Sequence, residues 1–193
     1  MNVHNKIFVE GNTDKSFLIH YLSHLKIRFN PIYISPINGK DDIKLRNAIY
    51  SFNKDNAKNL IIIDADNDNL ENRRKHIEEL LNEEGINAEV FFFPNNQDSG
   101  NLEKLLKSIA HSEYASFFDC YDKLNECINT PYKLNQKDAI YAYQSTFLTK
   151  EESEQRVKFI GTTPKEAIGE RFWNYKNSQI QPLKEFLLKH LSA

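Results

Sequence analysis

The sequence predicts an α/β fold: a three-layer sandwich built on a four-stranded parallel sheet, followed by a helical C-terminal region. Short apolar runs alternate with helix-periodic segments over the first half of the 193-residue chain, and this alternation is typical of parallel βαβ units. The run at residues 60–63 is apolar at every position, as expected of a strand covered by helices on both faces. Beyond residue 100 the strand signals largely stop and helical periodicity continues.

The predicted strands end at turns or at acidic residues. The first ends at Glu10, the third at Asp64 and the fourth at Pro94. Such boundaries are typical of strands that a loop connects to a following helix. The four strands comprise residues 7–9, 32–34, 60–63 and 90–93.

Helices are predicted between and after these strands, at residues 14–25, 43–52, 70–84, 102–109, 117–128, 137–147 and 183–191. Gly85 is placed to end the third of them, and Thr163 and Pro164 begin a further helix. We assign residues 1–110 to an α/β domain and residues 111–193 to a helical extension that packs on it, because no linker separates the two.

The charge balance and the cysteines restrict the classes of function. With 25 basic and 27 acidic side chains the formal net charge is −2, so bulk charge does not hold the chain on nucleic acid. A nucleic-acid function then requires a local site where metal ions offset a group of carboxylates. Cys120 and Cys127 are about 10 Å apart along a helix, too far for a disulfide, which favours a reducing, cytoplasmic location. No signal peptide or membrane span is predicted.

Carboxylates follow three of the four predicted strands. Because ligands of an open parallel sheet bind beyond the carboxyl ends of its strands, these acids are candidates for one site. Like charges this close need compensation, and oxygen-only ligands select Mg²⁺ or Mn²⁺. We therefore expect one or two such ions, held by Glu10, Asp14, Asp64, Asp66 and Glu103.

Taken singly, most of these acids have an ordinary structural explanation. Asp14 is typical of a helix N-cap, Glu103 of a first-turn acid, and residues 64–68 of a solvated loop. Glu10 differs, because a carboxylate at the end of a buried strand needs a partner. The occurrence of all of them at adjacent strand ends favours a metal site.

Two segments of the chain resemble the motifs of the Toprim fold, which topoisomerases, bacterial primases and OLD-type nucleases share. Residues 7–14 form an apolar strand that ends in Glu-Gly, with an acid four positions after the Glu. Residues 60–66 form a strand followed by Asp-x-Asp. The resemblance covers about the first 110 residues, the span of a small α/β domain.

This resemblance implies roles for individual acids. Glu10, Asp64 and Asp66 would hold Mg²⁺, and Glu10 would also move a proton. Asp14, and Glu103 within Gly-Asn-Leu-Glu, are similar to further acids of OLD-like nucleases.

More closely, the chain resembles small stand-alone bacterial Toprim proteins that are OLD-like. Shared features include the Phe-Pro-Asn-Asn stretch that begins at Phe93 and a tryptophan in the C-terminal region, Trp173. The Walker A pattern that the ATPase half of OLD proteins carries is not present in the sequence. OLD nucleases also use a lysine after the Toprim core, and Lys137 is the nearest candidate for it.

The function that this resemblance implies is Mg²⁺-dependent cleavage of phosphodiester bonds in nucleic acid, with DNA as the expected partner. Lys15, Lys40 and Arg73 are candidates for phosphate binding. The main alternative is a non-catalytic metal-binding module, acting as a sensor or as the partner subunit of an ATPase or another protein in a phage-defence or repair complex. Nucleotidyl transfer, as in primases, would need a basic nucleotide-binding surface that the sequence does not locate.

A shared metal site requires a particular order of strands. The first strand must lie beside the third, because neighbouring strands are about 4.8 Å apart and carboxylates at adjacent ends reach one ion. The fourth strand should lie on the other side of the third, so that the helix carrying Glu103 begins over the same edge. We expect the carboxylates of Glu10 and Asp64 to lie within about 8 Å of each other.

Overall fold

A computed structural model describes residues 5–39, 42–52, 58–66, 70–127, 135–151 and 168–191. Two sequence predictions lie outside the described residues. They are the helix start at residues 163–166 and the candidate phosphate-binding residue Lys40.

In the described part of the chain, four strands form one parallel sheet in the order β2-β1-β3-β4. β1 (Lys6–Val9) is flanked by β2 (Ile34–Pro36) and β3 (Asn59–Asp64), and β4 (Ala88–Phe93) pairs with the other edge of β3. The predicted fold class is confirmed, and so is the predicted strand order. Between β2 and β3 the chain crosses over β1, which places the switch point of the sheet between β1 and β3.

The second strand begins later than predicted. Pro31–Tyr33 forms a 3₁₀ turn, and the strand follows it. The side chain of Asn30 accepts a hydrogen bond from the backbone N–H of Ile32 (3.0 Å), and a proline just after a capping residue favours a helical turn over a strand. The prediction of a strand at residues 32–34 was therefore wrong for Ile32 and Tyr33.

Eight α-helices are present among the described residues. The third ends as predicted, because Gly85 follows it with a φ of +62°, a left-handed conformation that glycine adopts at low cost. The helices are α1 (Asn12–His24), α2 (Asp42–Phe52), α3 (Leu70–Glu83), α4 (Leu102–Ser108), α5 (Ser116–Cys127), α6 (Gln136–Ser145), α7 (Ile168–Phe172) and α8 (Gln181–Leu191).

Helices cover both faces of the sheet, as the apolar strands predicted. Successive strand residues point to opposite faces, so Phe8, Ile61 and Phe92 are buried in one cluster with residues of α2 and α3. Ile7 and Ile62 belong to the other cluster, which contains residues of α1 and of α4 to α8. The helices after β4 therefore share a hydrophobic core with the sheet.

Tyr143 is central to the packing among the C-terminal helices. Its buried ring stacks on those of Phe118 and Trp173, with centroid distances of 5.1 and 5.2 Å. Its hydroxyl donates a hydrogen bond to the carbonyl oxygen of Phe172 (3.0 Å), which satisfies a buried polar group. These contacts join α5 and α6 to the end of α7.

Two further predictions concern the cysteines and the membrane. Cys120 and Cys127, both on α5, are free thiols, as their spacing predicted. Among the helices that the structure describes, none has the length and the apolar character needed to cross a membrane.

Candidate metal centre

The carboxyl ends of β1 and β3 lie side by side at the switch point of the sheet. Glu10 follows β1 directly, and its carbonyl oxygen accepts a hydrogen bond from the backbone N–H of Asn38 (2.9 Å). Asp64 is the last residue of β3 and pairs in register with Phe93 of β4. Both acids therefore lie at the edge of the sheet where ligands of open α/β folds bind.

Asp14 lies in the first turn of α1, close to Glu10. Its buried carboxylate accepts a hydrogen bond from the backbone N–H of Gly11 (2.9 Å), as an acid at the third helical position does in a capping box. Burial raises the pKa of Asp14 from 3.8 to about 6, and the charges of Glu10 and Glu103 contribute in the same direction. The expectation that Asp14 is the N-cap was therefore wrong: Gly11 occupies that position, and Asp14 closes the cap from the third helical position.

Asp64 has the most strongly perturbed carboxyl of this site. Its Oδ1 accepts a hydrogen bond from the backbone N–H of Leu102 (3.0 Å), at the start of α4. Burial raises the pKa of Asp64 from 3.8 to about 8, and the nearby charges of Asp14, Glu10 and Glu103 add to the rise, while the bond from Leu102 opposes it. Without a compensating cation, the ionised form of Asp64 is therefore disfavoured.

These interactions define a group that we name the acidic cluster: Glu10, Asp14, Asp64 and Glu103. Its members come from the end of β1, the start of α1, the end of β3 and the start of α4. The structure thus brings together four of the five acids that the sequence singled out.

Asp66, the fifth acid, lies two residues after Asp64, and its backbone conformation is strained. Its φ is +59°, which is uncommon for a residue other than glycine, and its N–H donates to the carbonyl oxygen of Gly100 (2.8 Å). Among the described residues, the carboxylates that raise the pKa of Asp64 are Asp14, Glu10 and Glu103.

The acidic cluster supplies carboxylate oxygens, but in this structure these oxygens do not surround a common point. Among the described residues, no group of three or more His, Cys, Asp and Glu side chains is arranged to hold a metal ion. Asp14 and Asp64 each direct an oxygen to a backbone N–H, which leaves their remaining lone pairs for other partners. A cation bound here would therefore require these side chains to rotate.

The comparison with protein families covers almost the whole chain. A family model described as "Protein of unknown function (DUF3226)" matches residues 4–192. The chain belongs to this family. Neither the curated proteins nor the solved structures include a significant match to it. The DUF3226 match spans the sheet and the C-terminal helices alike, in agreement with the core that they share.

Arg73 is the candidate phosphate-binding residue that the structure places beside the cluster. From α3 it lines a small cavity together with Glu10 and Asp42. Its Nε is buried, and this atom has no hydrogen-bond partner among the described residues. The volume of about 10 Å³ is enough for one water molecule or a small ion.

The candidate lysines lie on helices that border the cluster. Lys15 is half-buried on α1, directly after Asp14, and Lys137 is exposed in the first turn of α6. Neither of them makes an ion pair with the cluster within the part of the chain that the structure describes.

Sequence patterns did not indicate that α6 returns to the acidic cluster. The hydroxyl of Tyr141 lies 3.5 Å from Oγ1 of Thr13 at the start of α1. Nδ2 of Asn101, which precedes α4, donates to Oε1 of Gln136 (3.3 Å). The capping box of Asn135 is a sequence signal for the start of this helix, but a local signal does not reveal what the helix packs against.

Proposed function

We propose that this DUF3226 protein is a Mg²⁺- or Mn²⁺-dependent enzyme that cleaves phosphodiester bonds in nucleic acid, with DNA as the expected substrate. The observation that carries the proposal is the gathering of Glu10, Asp14, Asp64 and Glu103 at the carboxyl ends of β1 and β3, where burial and the charges of the other three acids raise the pKa of Asp64. A divalent cation would relieve both effects, because it compensates buried negative charge. The resemblance of residues 7–14 and 60–66 to Toprim motifs supports the same interpretation.

The donor set fits a hard divalent cation. All four members of the cluster offer carboxylate oxygens, which Mg²⁺ and Mn²⁺ prefer over nitrogen and sulfur. Asp14 and Asp64 each accept a backbone N–H, but Asp14, Asp64 and Glu103 have no ion pair with a cationic side chain among the described residues. Their local imbalance of charge supports a metal site.

The proposal gives each group a role. Glu10, Asp14, Asp64 and Asp66 would hold the first ion, and Glu103 would complete a second site. When bound, such ions lower the pKa of a water molecule and neutralise a phosphate. Glu10 would accept the proton from that water molecule.

The basic residues complete this assignment. Arg73, with its unpartnered Nε beside Glu10, would bind a phosphate oxygen. Lys15 and Lys40 would assist it, and Lys137 would stabilise the developing charge on the leaving oxygen.

The test is cleavage of plasmid and of single-stranded DNA by purified protein, with Mg²⁺, with Mn²⁺ and with EDTA. We expect cleavage only with the cation, and a loss of at least about 100-fold in Asp64→Asn and in Glu10→Gln, since the removal of one transition-state stabilising group costs about 100- to 1000-fold. Asp119→Asn is the matched control, because Asp119 is an exposed acid on α5. Equal cleavage by Asp64→Asn and Asp119→Asn would contradict the proposal.

A second candidate is a non-catalytic metal-binding module that serves as a sensor or partner subunit. The observation in its favour is that Asp14 and Asp64 each accept a hydrogen bond from a backbone N–H at the start of a helix. These carboxylates therefore have a structural role that does not depend on catalysis. Calorimetric binding of Mn²⁺ by the wild-type protein, without cleavage of any substrate, would select this candidate.

A further inference from the structure

A second, larger cavity lies between α4, α5 and α6, next to the acidic cluster. Its volume is about 300 Å³, which is at the lower end of the range of small-molecule sites. Phe118, Tyr121 and Ile140 contribute apolar and aromatic surface to its wall. The ring of Phe118 is already stacked on Tyr143, so the stacking surface for a flat ring is the half-buried Tyr121.

The two lysines and the aspartate of the cavity wall already have partners within the protein. Lys107 is neutralised by Asp122, with 2.8 Å between Nζ and Oδ2, and a second lysine, Lys104, donates to a backbone carbonyl oxygen. Asn135 and Gln136 place side-chain amides at the wall of the cavity. Amide groups can donate to and accept from the edge of a nucleobase.

Glu103 connects this cavity to the acidic cluster. It lines the cavity, and its charge also contributes to the raised pKa of Asp14 and of Asp64. A ligand in the cavity would therefore lie one side chain away from the proposed metal site.

We propose that the cavity between α4, α5 and α6 binds one unpaired nucleobase of a nucleic-acid strand whose phosphate lies at the acidic cluster. The proposal rests on the proposed function, and it specifies the substrate as single-stranded or locally unpaired nucleic acid. A base within a duplex is stacked and paired on its recognition edge, so only an unpaired base could enter the cavity.

The test is the binding of a fluorescently labelled single strand of about 12 nucleotides, a typical site size for such proteins, and of the same strand in a duplex. Fluorescence anisotropy is measured in Ca²⁺, a hard cation that takes the same oxygen ligands, so that the carboxylates are compensated while Mg²⁺-dependent cleavage is avoided. We expect tighter binding of the single strand, and a loss of about tenfold in Tyr121→Ala, because a base that stacks on an aromatic ring gives effects of this size. Tyr121→Phe should restore binding, since the ring carries the interaction.

Two further variants separate recognition from folding. Gln136→Ala changes an exposed residue of α6 and should weaken binding without lowering the Tm. Tyr50→Ala, at a tyrosine of α2 that is 52% exposed and lies on the opposite layer, is the matched control and should bind as the wild type does.

The outcomes distinguish this proposal from the proposed function. Weakened binding in Tyr121→Ala together with absence of cleavage by the wild type would support the cavity and overturn the nuclease. Cleavage of a single strand by the wild type, with equal binding by Tyr121→Ala and Tyr50→Ala, would overturn the cavity and support the nuclease. Absence of single-strand binding by the wild type would also overturn the cavity proposal.

Discussion

At the scale of a single residue, Asp64 combines a structural role with a charge that its surroundings disfavour. Its side chain is needed at the start of α4, where it accepts the N–H of Leu102, yet its charged form is disfavoured by burial and by the other acids of the cluster. A carboxyl group whose pKa is strongly raised by burial and by neighbouring charges is typical of functional sites. The same residue therefore offers a test that does not depend on catalysis.

Replacing Asp64 by Asn should stabilise the metal-free protein, and increasingly so at higher pH. The pKa of Asp64 is about 8 in the folded chain and 3.8 ordinarily, so the folded state binds the additional proton, and stability falls as pH rises from about 4 to about 8. Asn keeps an oxygen for the N–H of Leu102 and has no charge. We expect the Tm of Asp64→Asn to exceed that of the wild type by several degrees at pH 8, at about 2–4 °C per kcal/mol.

The measurement is thermal denaturation in EDTA at a series of pH values, with Asp119→Asn as the control. The predicted loss of wild-type stability falls between the ordinary pKa of 3.8 and the folded-state pKa of about 8. A difference in Tm between Asp64→Asn and the wild type that stays constant from pH 5 to pH 8 would therefore refute a raised pKa at this residue.

The site depends, at the scale of the element, on the loop between β4 and α4. Gly100 accepts the N–H of Asp66 at its carbonyl oxygen and has a φ of +144°. A Cβ at this position would lie 3.2 Å from Cδ of Pro94 and closer still to the side chain of Lys104. The loop thus needs a glycine here to hold Asp66 beside the start of α4.

Gly100→Ala should lower stability by about 1–3 kcal/mol, since a side chain at this φ is strained, and should weaken Mn²⁺ binding as well. Gly85→Ala is the matched control: its φ of +62° is also left-handed, but the space around its Cβ is open and it ends α3, away from the cluster. Thermal denaturation and calorimetry of both variants separate the effects. Equal Mn²⁺ affinities in the two variants would show that the loop does not position the site.

A helix or strand could be predicted where a short stretch of sequence is enough to indicate it. β3 was predictable because its residues are apolar at consecutive positions, and Gly85 because a glycine after a periodic segment ends helices. β2 was predicted two residues early, because its apolar run indicates a strand while Asn30 and Pro31 favour a 3₁₀ turn over the first two residues of that run. The neighbouring positions of β1 and β3 were expected as the condition for a shared metal site, and the structure has this strand order.

The rest of the site was not accessible from sequence, because it depends on tertiary packing. That Asp64 caps α4 follows from the position of that helix over β3, which no local pattern encodes. The same holds for α6, whose contacts through Tyr141 and Gln136 with the starts of α1 and α4 are separated by long stretches of chain. The left-handed backbone of Asp66 likewise reflects its bond to a distant carbonyl group.

The α/β part and the C-terminal helices depend on each other at the scale of the whole molecule. One core cluster contains Phe17 of α1 and Phe91 of β4 together with Leu183 and Leu187 of α8. Nδ1 of His190, also on α8, lies 2.9 Å from Nζ of Lys58, which precedes β3. The removal of the helices would expose one face of the sheet to water.

A fragment of residues 1–110 should therefore fail to fold cooperatively. Burial of a large apolar side chain contributes about 1.5–3 kcal/mol, and the loss of several such contacts exceeds the stability of a typical domain, about 5–15 kcal/mol. Circular dichroism during heating measures this directly, with the full chain as the control. A soluble fragment with a sharp unfolding transition would show instead that the α/β part is an independent domain.

The central claim is that a divalent cation binds at the carboxyl ends of β1 and β3, with Glu10 and Asp64 among its ligands. Anomalous diffraction from a crystal soaked in Mn²⁺ tests it most directly, because the signal locates the ion without assumptions about activity. We predict a peak at the ends of β1 and β3, with carboxylate oxygens of Glu10 and Asp64 at about 2.1 Å from it. The absence of a peak at this edge of the sheet in a soaked wild-type crystal, or a peak that persists there in Asp64→Asn with unchanged height, would contradict the account.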